Sequence, residues 1–470
     1  MTRTAEPETT TGRFDRRLIA PMILGSILNP VNSSIIAVSL VPIGAAFGAP
    51  ASQTAWLVSA LYLATAIGQP VVGRLVDLFG PKRLLLAGAA LTVVAGVIGA
   101  TAPNLAALVI ARVVLGLGTC AGYPASMSLI RSEARRTGLA SPSGVLTALA
   151  VSSQTIVVIG PTLGGLLIGL GGWRATLAVN IPLGLASLVV AAAVLPNQPR
   201  SERSEAVEPA PRARLDVLGV GLFTATLVAL LVFLMSPAVG HLSLLGITAV
   251  AAALLTVHEL RTAEPFLDLR LLGGNLPLLT TYARTLLAMT TIYVFLYGYT
   301  QWVEDSRGMS AAQAGLLLIP MSGVAIAVSA STGRHPAIRG KLIVGALAQL
   351  LGCLLLVTLD GSSAIWLLVV VAVVFGVPQG LLSLANQNAL YHQADQARLA
   401  SSAGLLRTFA YLGAIVAAAA NGAFFGRTAS TSGLHHIAVF LIAITAALSL
   451  LTLLDRSLAR VGRVPTRPER

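Results

Sequence analysis

Charged side chains are scarce in this sequence of 470 residues: Asp, Glu, Lys and Arg together make up 10% of it, whereas soluble domains carry about 25%. Aromatic residues contribute 5%, and there are two cysteines and six histidines. Cys120 and Cys353 both fall in apolar runs, where they are expected to be small core residues. The composition therefore excludes a soluble enzyme domain and a disulfide framework, and no metal site or cofactor is expected.

Long apolar runs are what the sequence has instead. Apolar residues make up 55% of the chain, and its mean hydropathy is +0.83. Runs of 18 or more apolar residues recur along the whole length, and each can cross about 30 Å of hydrocarbon. The sequence predicts an all-α polytopic membrane protein. The net charge of +13 comes from bases in loops and tails, so it indicates membrane orientation and not nucleic-acid binding.

Hydropathy predicts 14 transmembrane helices, arranged as two six-helix bundles plus an inserted helix pair. The fourth, fifth and sixth spans are predicted at 104–129, 143–170 and 174–195. The predicted parts of the chain are a cytoplasmic tail at 1–17, the N-terminal bundle at 18–195, a cytoplasmic linker at 196–214, the helix pair at 215–260, an interfacial segment at 261–275, the C-terminal bundle at 276–455 and a basic cytoplasmic tail at 456–470.

The distribution of Lys and Arg sets the predicted orientation. If the chain starts in the cytoplasm, most of the 31 basic residues fall in the tails and loops on the cytoplasmic side. The positive-inside rule then places both termini in the cytoplasm. Three arginines lie inside predicted spans: Arg112, Arg284 and Arg407.

A short charged stretch, G-R-L-V-D-L-F-G-P-K-R at 73–83, joins the second and third spans. It resembles the glycine–acid–glycine–base loop of the major facilitator superfamily, in which it controls conformational gating; Gly73, Asp77, Gly80 and Lys82 match. The alternative is a basic loop that only orients the chain. The same glycine spacing recurs at Gly333 and Gly340, which indicates two repeated halves that rock about a central site.

Arg112 lies well inside the fourth span, in a stretch that resembles a second motif of that superfamily. A mid-span Arg usually faces a protein interior or a wet cavity. The resemblance implies a role in proton coupling, and an Arg that only packs is the alternative.

The fifth span contains G-P-T-L-G-G, which resembles the motif said to mark antiporters of the superfamily and so implies export. Gly160 and Gly164 share one helical face, as do Gly165 and Gly169, and this spacing predicts close helix contact. Pro161 removes a backbone hydrogen bond and predicts a bend. An ordinary kinked helix is the alternative.

The first span, L-N-P-V-N-S-S-I-I-A-V-S-L-V-P, resembles that of the fourteen-span drug:proton antiporters of the QacA and EmrB type, and the resemblance covers nearly the whole chain. Asn32 stands where that family commonly has an aspartate. No Asp or Glu falls in the middle of any predicted span, although proton relays in membranes normally use such residues. Three possibilities stay open: Asp77 or an acid at an outer end carries the proton, water beside Arg112 carries it, or transport is uncoupled.

Polar residues inside the spans predict a central substrate cavity, with interhelical hydrogen bonding as the alternative role. Arg112 and Arg284 have no mid-span acid to neutralise them, so the cavity is expected to be net positive and its substrate anionic, neutral or zwitterionic. The predicted cavity residues are Asn29, Asn32, Tyr123, Gln154, Arg284, Tyr297, Gln301 and Gln379.

The predicted function is export of small toxic or antibiotic-like molecules across the bacterial inner membrane by alternating access, in exchange for protons. The alternatives are an uncoupled facilitator or importer of a non-cationic solute and, remotely, a membrane enzyme or receptor. A phosphate-binding glycine loop followed by Lys-Ser or Lys-Thr is lacking, so an ATPase is not expected. The expected partners are a small-molecule substrate, protons and membrane lipid, and the protein is expected to be a monomer.

Overall fold

The computed structural model describes residues 14–49, 51–137, 143–196, 216–235, 239–262, 265–267, 269–309, 311–333, 335, 337–425 and 429–458. Every regular element in these ranges is helical, as the apolar runs predict. The α-helices, numbered in chain order, are α1 Ile19–Ile35, α2 Leu40–Phe47, α3 Ala51–Phe79, α4 Pro81–Ala100, α5 Leu105–Thr119, α6 Gly122–Thr137, α7 Ser143–Ala178, α8 Asn180–Val194, α9 Val217–Met235, α10 Leu242–Arg261, α11 Leu269–Gly274, α12 Leu276–Arg307, α13 Ala311–Thr332, α14 Ile338–Leu356, α15 Ile365–Gln393, α16 Leu399–Phe425 and α17 Thr431–Leu454.

Fewer helices qualify as membrane spans than hydropathy predicts. Within the described residues, ten segments are long and apolar enough to cross a membrane, and there are eleven if the pair that meets at a 50° bend between α7 and α8 counts as one. Three shorter apolar helices, at 144–153, 217–230 and 316–332, fall below that length. The count of 14 therefore remains a prediction.

Two predicted spans in the first half contain breaks that hydropathy does not register. The span predicted at 104–129 is two helices, α5 and α6, and it runs on to Thr137. The end predicted for the fifth span at 170 coincides with a break in α7 at Gly171 and Gly172, whereas the sixth span, predicted at 174–195, bends by 50° between α7 and α8. Gly172 has a φ of +68°, a left-handed conformation that glycine adopts without steric cost.

Helices α1–α8 form one bundle and α12–α17 form the other. In the first, α1 packs on α7, and α4 packs on α5 and α8; in the second, α12 packs on α16, and α15 packs on α13 and α14. The two bundles meet where α3 runs along α16 and where α7 contacts α13. We call these contacts the α3–α16 seam and the α7–α13 seam.

One end of the molecule is closed by contacts between the bundles. Leu18 and Met22, at the start of α1, belong to the same buried apolar cluster as Leu390 and Leu399 of the second bundle. The end of α17 lies there too, because Gln393 at the end of α15 contacts Ser457 through side-chain atoms 3.2 Å apart. We call this the sealed end.

The inserted pair, α9 and α10, lies against one of the two seams. The two helices pack on each other, and α9 contacts both α3 and α16. Its buried Phe223 and Leu227 pack with Ile67 and Val71 of α3 and with Leu412 of α16. The pair therefore covers the α3–α16 seam.

The predicted non-membrane segments are described only in part. Residues 1–13, most of the linker at 196–214 and residues 459–470 of the basic tail lie outside the described residues. The described part of the first tail is ordered: Asp15 donates its backbone N–H to Glu133, with N and Oε1 2.8 Å apart. The interfacial segment contributes α11.

Candidate functional site

A cavity of about 410 Å³ lies between the two bundles. This volume is typical of small-molecule sites, which are about 300–1,000 Å³. Its polar lining consists of hydroxyls, amides and one guanidinium. These polar lining residues are Ser26, Asn29, Ser33, Ser34, Tyr62, Tyr123, Ser153, Tyr293, Tyr297, Thr300, Ser322, Gln379, Ser383, Gln387, Arg407 and Tyr411.

Helix α16 reaches across the cavity with two side chains one helical turn apart. The guanidinium carbon of Arg407 lies 4.2 Å from the ring centroid of Tyr123 on α6, within the range of a cation–π contact. The hydroxyl of Tyr411 donates to Asn29 Oδ1 on α1 at 3.0 Å, and its ring centroid lies 5.7 Å from that of Tyr62 on α3. Both side chains therefore join the second bundle to the first.

Asn29 lines the cavity with its amide held in place. Its Nδ2 donates to Thr65 Oγ1 at 3.3 Å and to Thr119 Oγ1 at 3.1 Å, while its Oδ1 accepts from Tyr411. These contacts link α1, α3 and α5 with α16. Asn29 thus fixes the geometry of the cavity wall as well as presenting polar atoms to it.

Four of the eight predicted cavity residues line the cavity: Asn29, Tyr123, Tyr297 and Gln379. Tyr297 stacks with Tyr293 at a centroid distance of 5.9 Å. The side chain of Gln154 lies outside the described residues. The structure places the remaining three elsewhere.

Asn32 is corrected from a cavity residue to a packing residue of the first bundle. It is 2% exposed, and it exchanges two amide hydrogen bonds with Asn180 of α8, at 2.7 and 2.9 Å. Arg112, which is 1% exposed, donates to the backbone oxygens of Leu57 at 2.9 Å and of Asn32 at 3.4 Å. Arg112 therefore lies behind the cavity wall, held by carbonyls.

Arg284 is corrected from a cavity residue to one member of a buried ion pair. Its Nη1 lies 2.5 Å from Oδ2 of Asp455, just past the end of α17, and its Nη2 donates to Thr281 at 2.7 Å. The expected positive charge of the cavity therefore does not come from Arg284 or Arg112. Gln301 is also misassigned, because it is exposed whereas its neighbour Thr300 lines the cavity; successive helical residues point about 100° apart.

The charged stretch at 73–83 lies at the sealed end, and each matching residue there has a specific contact. A Cβ on Gly73 would lie 2.6 Å from the carbonyl oxygen of Ala400, so only glycine allows α3 this close to α16. Asp77 Oδ2 accepts from the backbone N of Ser401 at 3.0 Å and from its Oγ at 2.5 Å. Ser401 lies in the first turn of α16, where the helix dipole stabilises a negatively charged carboxylate.

The second glycine and the base of that stretch act within the first bundle. Gly80 has a φ of +86° at the turn into α4. Lys82 Nζ donates to the carbonyl oxygens of Leu195 at 2.6 Å and Ala192 at 3.2 Å, at the C-terminal end of α8. A cation there complements the helix dipole.

The repeated glycine spacing corresponds to equivalent places on the two seams. Gly73 faces α16 at the α3–α16 seam, and a Cβ on Gly333 would overlap Thr147 of α7 at the α7–α13 seam. Gly73 lies in the last two turns of α3, and Gly333 lies just past the end of α13. Asp77 has no acidic counterpart, because Ala337 occupies the matching position.

The glycines of the fifth span differ in their surroundings. A Cβ on Gly160 would overlap the side chain of Ser34 on α1, and Gly164 is buried. Gly165 and Gly169 have nothing within 4 Å of an added Cβ, which corrects the prediction of close helix contact on that face. The side chain of Pro161 lies outside the described residues.

Sequence reasoning missed Arg407, Tyr411 and Tyr62 as cavity residues. A signal for two of them was present, because Arg407 and Tyr411 are four residues apart and share one face of an apolar helix. A hydrophobic helix gives no indication of which face meets the cavity, and so the signal could not be used.

Comparison with known proteins decides the family. The family model described as Major Facilitator Superfamily matches residues 22–418. The chain belongs to the Major Facilitator Superfamily. It is therefore a membrane transporter and not an enzyme.

Relatives and solved structures agree with this assignment. The chain is 30% identical over 428 residues to the uncharacterised transporter YwoD of Bacillus subtilis (strain 168), with 89% of this chain and 92% of YwoD covered. It is 28% identical over 397 residues to the tetracenomycin C resistance and export protein of Streptomyces glaucescens, with 82% and 71% covered.

The crystal structure of the human organic anion transporter MFSD10 superposes with a TM-score of 0.68 at 15% identity, covering 94% of this chain and 100% of that one. The proton:xylose symporter XylE superposes with a TM-score of 0.66 at 16% identity, covering 94% and 95%. At these identities the likeness concerns the fold.

Proposed function

We propose that this transporter exports small toxic or antibiotic-like molecules across the cytoplasmic membrane by alternating access, in exchange for protons. The observation that carries the proposal is the position of the cavity between two bundles that are joined at one end. Rocking of the bundles would break the sealed-end contacts, such as Asp77 with Ser401, and would expose the cavity to the other side.

The relatives support export as the direction. One is named for tetracenomycin C resistance and export, and another, 29% identical over 362 residues, is the multidrug resistance protein Stp of Mycobacterium tuberculosis. We infer that the sealed end faces the cytoplasm with both termini, because the basic residues concentrate there. The protein would act as a monomer surrounded by lipid.

Gating is proposed for Gly73, Asp77, Gly80 and Lys82 at the sealed end and for the fifth-span set that begins at Gly160. Close backbone approach and helix-terminus contacts are the features that support it for the first set. The fifth-span set also contains Pro161, Gly164 and Gly165.

Proton coupling is proposed for Arg112 and Asp77.

One observation favours a second candidate, an uncoupled facilitator or importer of a non-cationic solute. Among the side chains that the structure describes, no Asp or Glu lines the cavity. Without such an acid, a bound proton has no site beside the substrate.

The test uses energised inside-out vesicles with and without this protein, and a panel of cationic, neutral and anionic toxic compounds. Export predicts uptake that depends on the protein and collapses when a protonophore is added. Uptake that only equilibrates and ignores the protonophore would establish the facilitator instead. Absence of protein-dependent uptake for the whole panel would contradict export of such compounds.

A further inference from the structure

The cavity contains a cation whose charge the described part of the protein does not balance. Arg407 is half-buried and lines the cavity. Arg136 pairs with Glu133, His258 with Asp216 and Arg284 with Asp455, and Arg407 takes part in none of these ion pairs.

The other two arginines inside helices do not share this property. Arg112 is bonded to backbone carbonyls behind the wall, and Arg284 is neutralised by Asp455. The positive potential of the cavity therefore comes from Arg407. In a medium of lower dielectric constant than water, such a charge attracts anions and repels cations over several ångströms.

The hydrogen-bond donors of Arg407 are available to a ligand. A guanidinium carries its N–H groups in the plane of the group, in a fork that matches the two oxygens of an oxyanion. The guanidinium carbon of Arg407 lies over the ring of Tyr123, 4.2 Å from its centroid, and the described residues accept no hydrogen bond from its N–H groups.

The rest of the lining suits a planar ring system. Tyr62, Tyr293, Tyr297 and Tyr411 present aromatic rings, and aromatic side chains favour stacked or edge-on contact with a flat ligand. Hydroxyl groups of serine and threonine complete the polar surface and add no charge.

We propose that the cavity binds an aromatic monoanion, a planar ring system with one carboxylate or sulfonate, and that Arg407 is its counter-charge. This inference rests on the proposed export function and names its substrate class. It also bears on the driving force: an anion that leaves a cell with a negative interior moves with the membrane potential. Such export needs no carboxylate in the cavity.

The binding test uses protein in lipid nanodiscs and three probes that share one ring system: naphthalene-1-sulfonate, naphthalene-1-sulfonamide and 1-naphthyltrimethylammonium. The wild type is expected to bind the sulfonate at least about tenfold more tightly than the ammonium. Arg407→Gln is expected to weaken sulfonate binding at least about tenfold, the worth of a charged hydrogen bond, and to change sulfonamide binding less than about twofold. Arg407→Lys should retain the preference for the anion.

Arg174→Gln is the matched control. Arg174 also lies over an aromatic ring, with its guanidinium carbon 4.2 Å from the Trp173 centroid, but it lies away from the cavity lining. Its binding of all three probes should equal that of the wild type. The proposal is overturned if the wild type binds none of the probes, if it prefers the ammonium, or if Arg407→Gln weakens sulfonate and sulfonamide equally.

The transport test uses proteoliposomes with valinomycin and a tenfold K⁺ gradient. The sulfonate should accumulate at least about tenfold on the positive side, as for a monovalent anion at equilibrium with that potential. Charge-selective binding that depends on Arg407, without transport of any probe here or in the vesicle experiment, would leave the ligand class standing and overturn the proposed export function.

Discussion

Arg284 and Asp455 form an ion pair that is almost completely removed from water. Their side chains are 1% and 8% exposed. Burial raises the pKa of Asp455, but hydrogen bonds from Ser457 and Arg284 lower it by more, so the pKa lies below its ordinary value. The carboxylate is therefore ionised at neutral pH and holds the start of α12 against the end of α17.

We predict that Asp455→Ala lowers the free energy of unfolding by about 3–5 kcal/mol, because it leaves Arg284 charged and buried without its partner. Thermal unfolding of the purified protein in detergent measures this. The double variant with Arg284→Met should recover much of the loss, since no uncompensated charge remains. Equal loss in both proteins would argue against the buried charge as the cause.

At the residue scale, the sequence indicated which side chains are unusual but not where they point. Arg284 was recognisable as a mid-span charge, yet its partner lies 171 positions further along the chain. Asn32 was recognisable as polar, yet its partner Asn180 belongs to another helix. Where a helix is apolar on all sides, hydropathy contains no information about its rotation, so the cavity side could not be assigned.

Helix α7 packs closely on α1 at Gly160, whereas no neighbouring atoms lie near an added Cβ at Gly165. Gly160 meets Ser34 with no room for a Cβ, whereas Gly165 has nothing within 4 Å of an added Cβ. The two sites lie in the same helix, five residues apart, and so they form a natural pair for comparison.

We predict that Gly160→Ala destabilises the protein by about 1–3 kcal/mol, the usual cost of overpacking, and that Gly165→Ala causes no loss. Unfolding midpoints of the two variants in detergent give the comparison. Adding Ser34→Gly to Gly160→Ala should restore stability, because it removes the atoms that the new methyl group would meet. Equal behaviour of the two single variants would contradict the close contact between α1 and α7.

At the element scale, hydropathy predicts where helices lie better than where they bend. The span beginning at 276 is a helix from Leu276, because a long apolar run in a membrane has to satisfy its own backbone hydrogen bonds. The junction of α5 with α6 and the 50° bend between α7 and α8 were missed, because residues on both sides of each are equally apolar.

The whole molecule closes at one end through two seams related by the repeat, and the repeated position has a carboxylate, Asp77, at one of them. Asp77 accepts two hydrogen bonds from Ser401 at the start of α16, and its counterpart at the α7–α13 seam is Ala337. The repeat of glycines made the two halves predictable from the sequence. The pairing of Asp77 with a residue 324 positions away was not.

We predict that Asp77→Asn weakens the closed state by about 1 kcal/mol, the typical effect of a charge at a helix N-terminus, and so raises the population of the opened state about fivefold. The measurement is the labelling rate of Ser153→Cys in the cavity by an impermeant maleimide supplied from the sealed-end side. The two native cysteines are buried and give little background.

Asp305→Asn provides the control for this experiment. Asp305 also accepts a backbone hydrogen bond, from Ala429 at 2.9 Å, but it lies at the opposite end of α12 from the sealed end. Its labelling rate should equal that of the unmodified reporter. An Asp77→Asn protein that labels no faster than this control would show that the carboxylate does not hold the sealed end shut.

The position of α9 and α10 makes the lipid-facing surface of the protein asymmetric. The two seams are related by the repeat, and within the described residues the pair packs on the α3–α16 seam, through Phe223 and Leu227. A fat-soluble compound dissolved in the bilayer thus meets a shielded flank on one side of the protein and the α7–α13 seam on the other. A compound that enters the cavity from the bilayer is therefore expected to pass between the bundles at the α7–α13 seam and not at the α3–α16 seam.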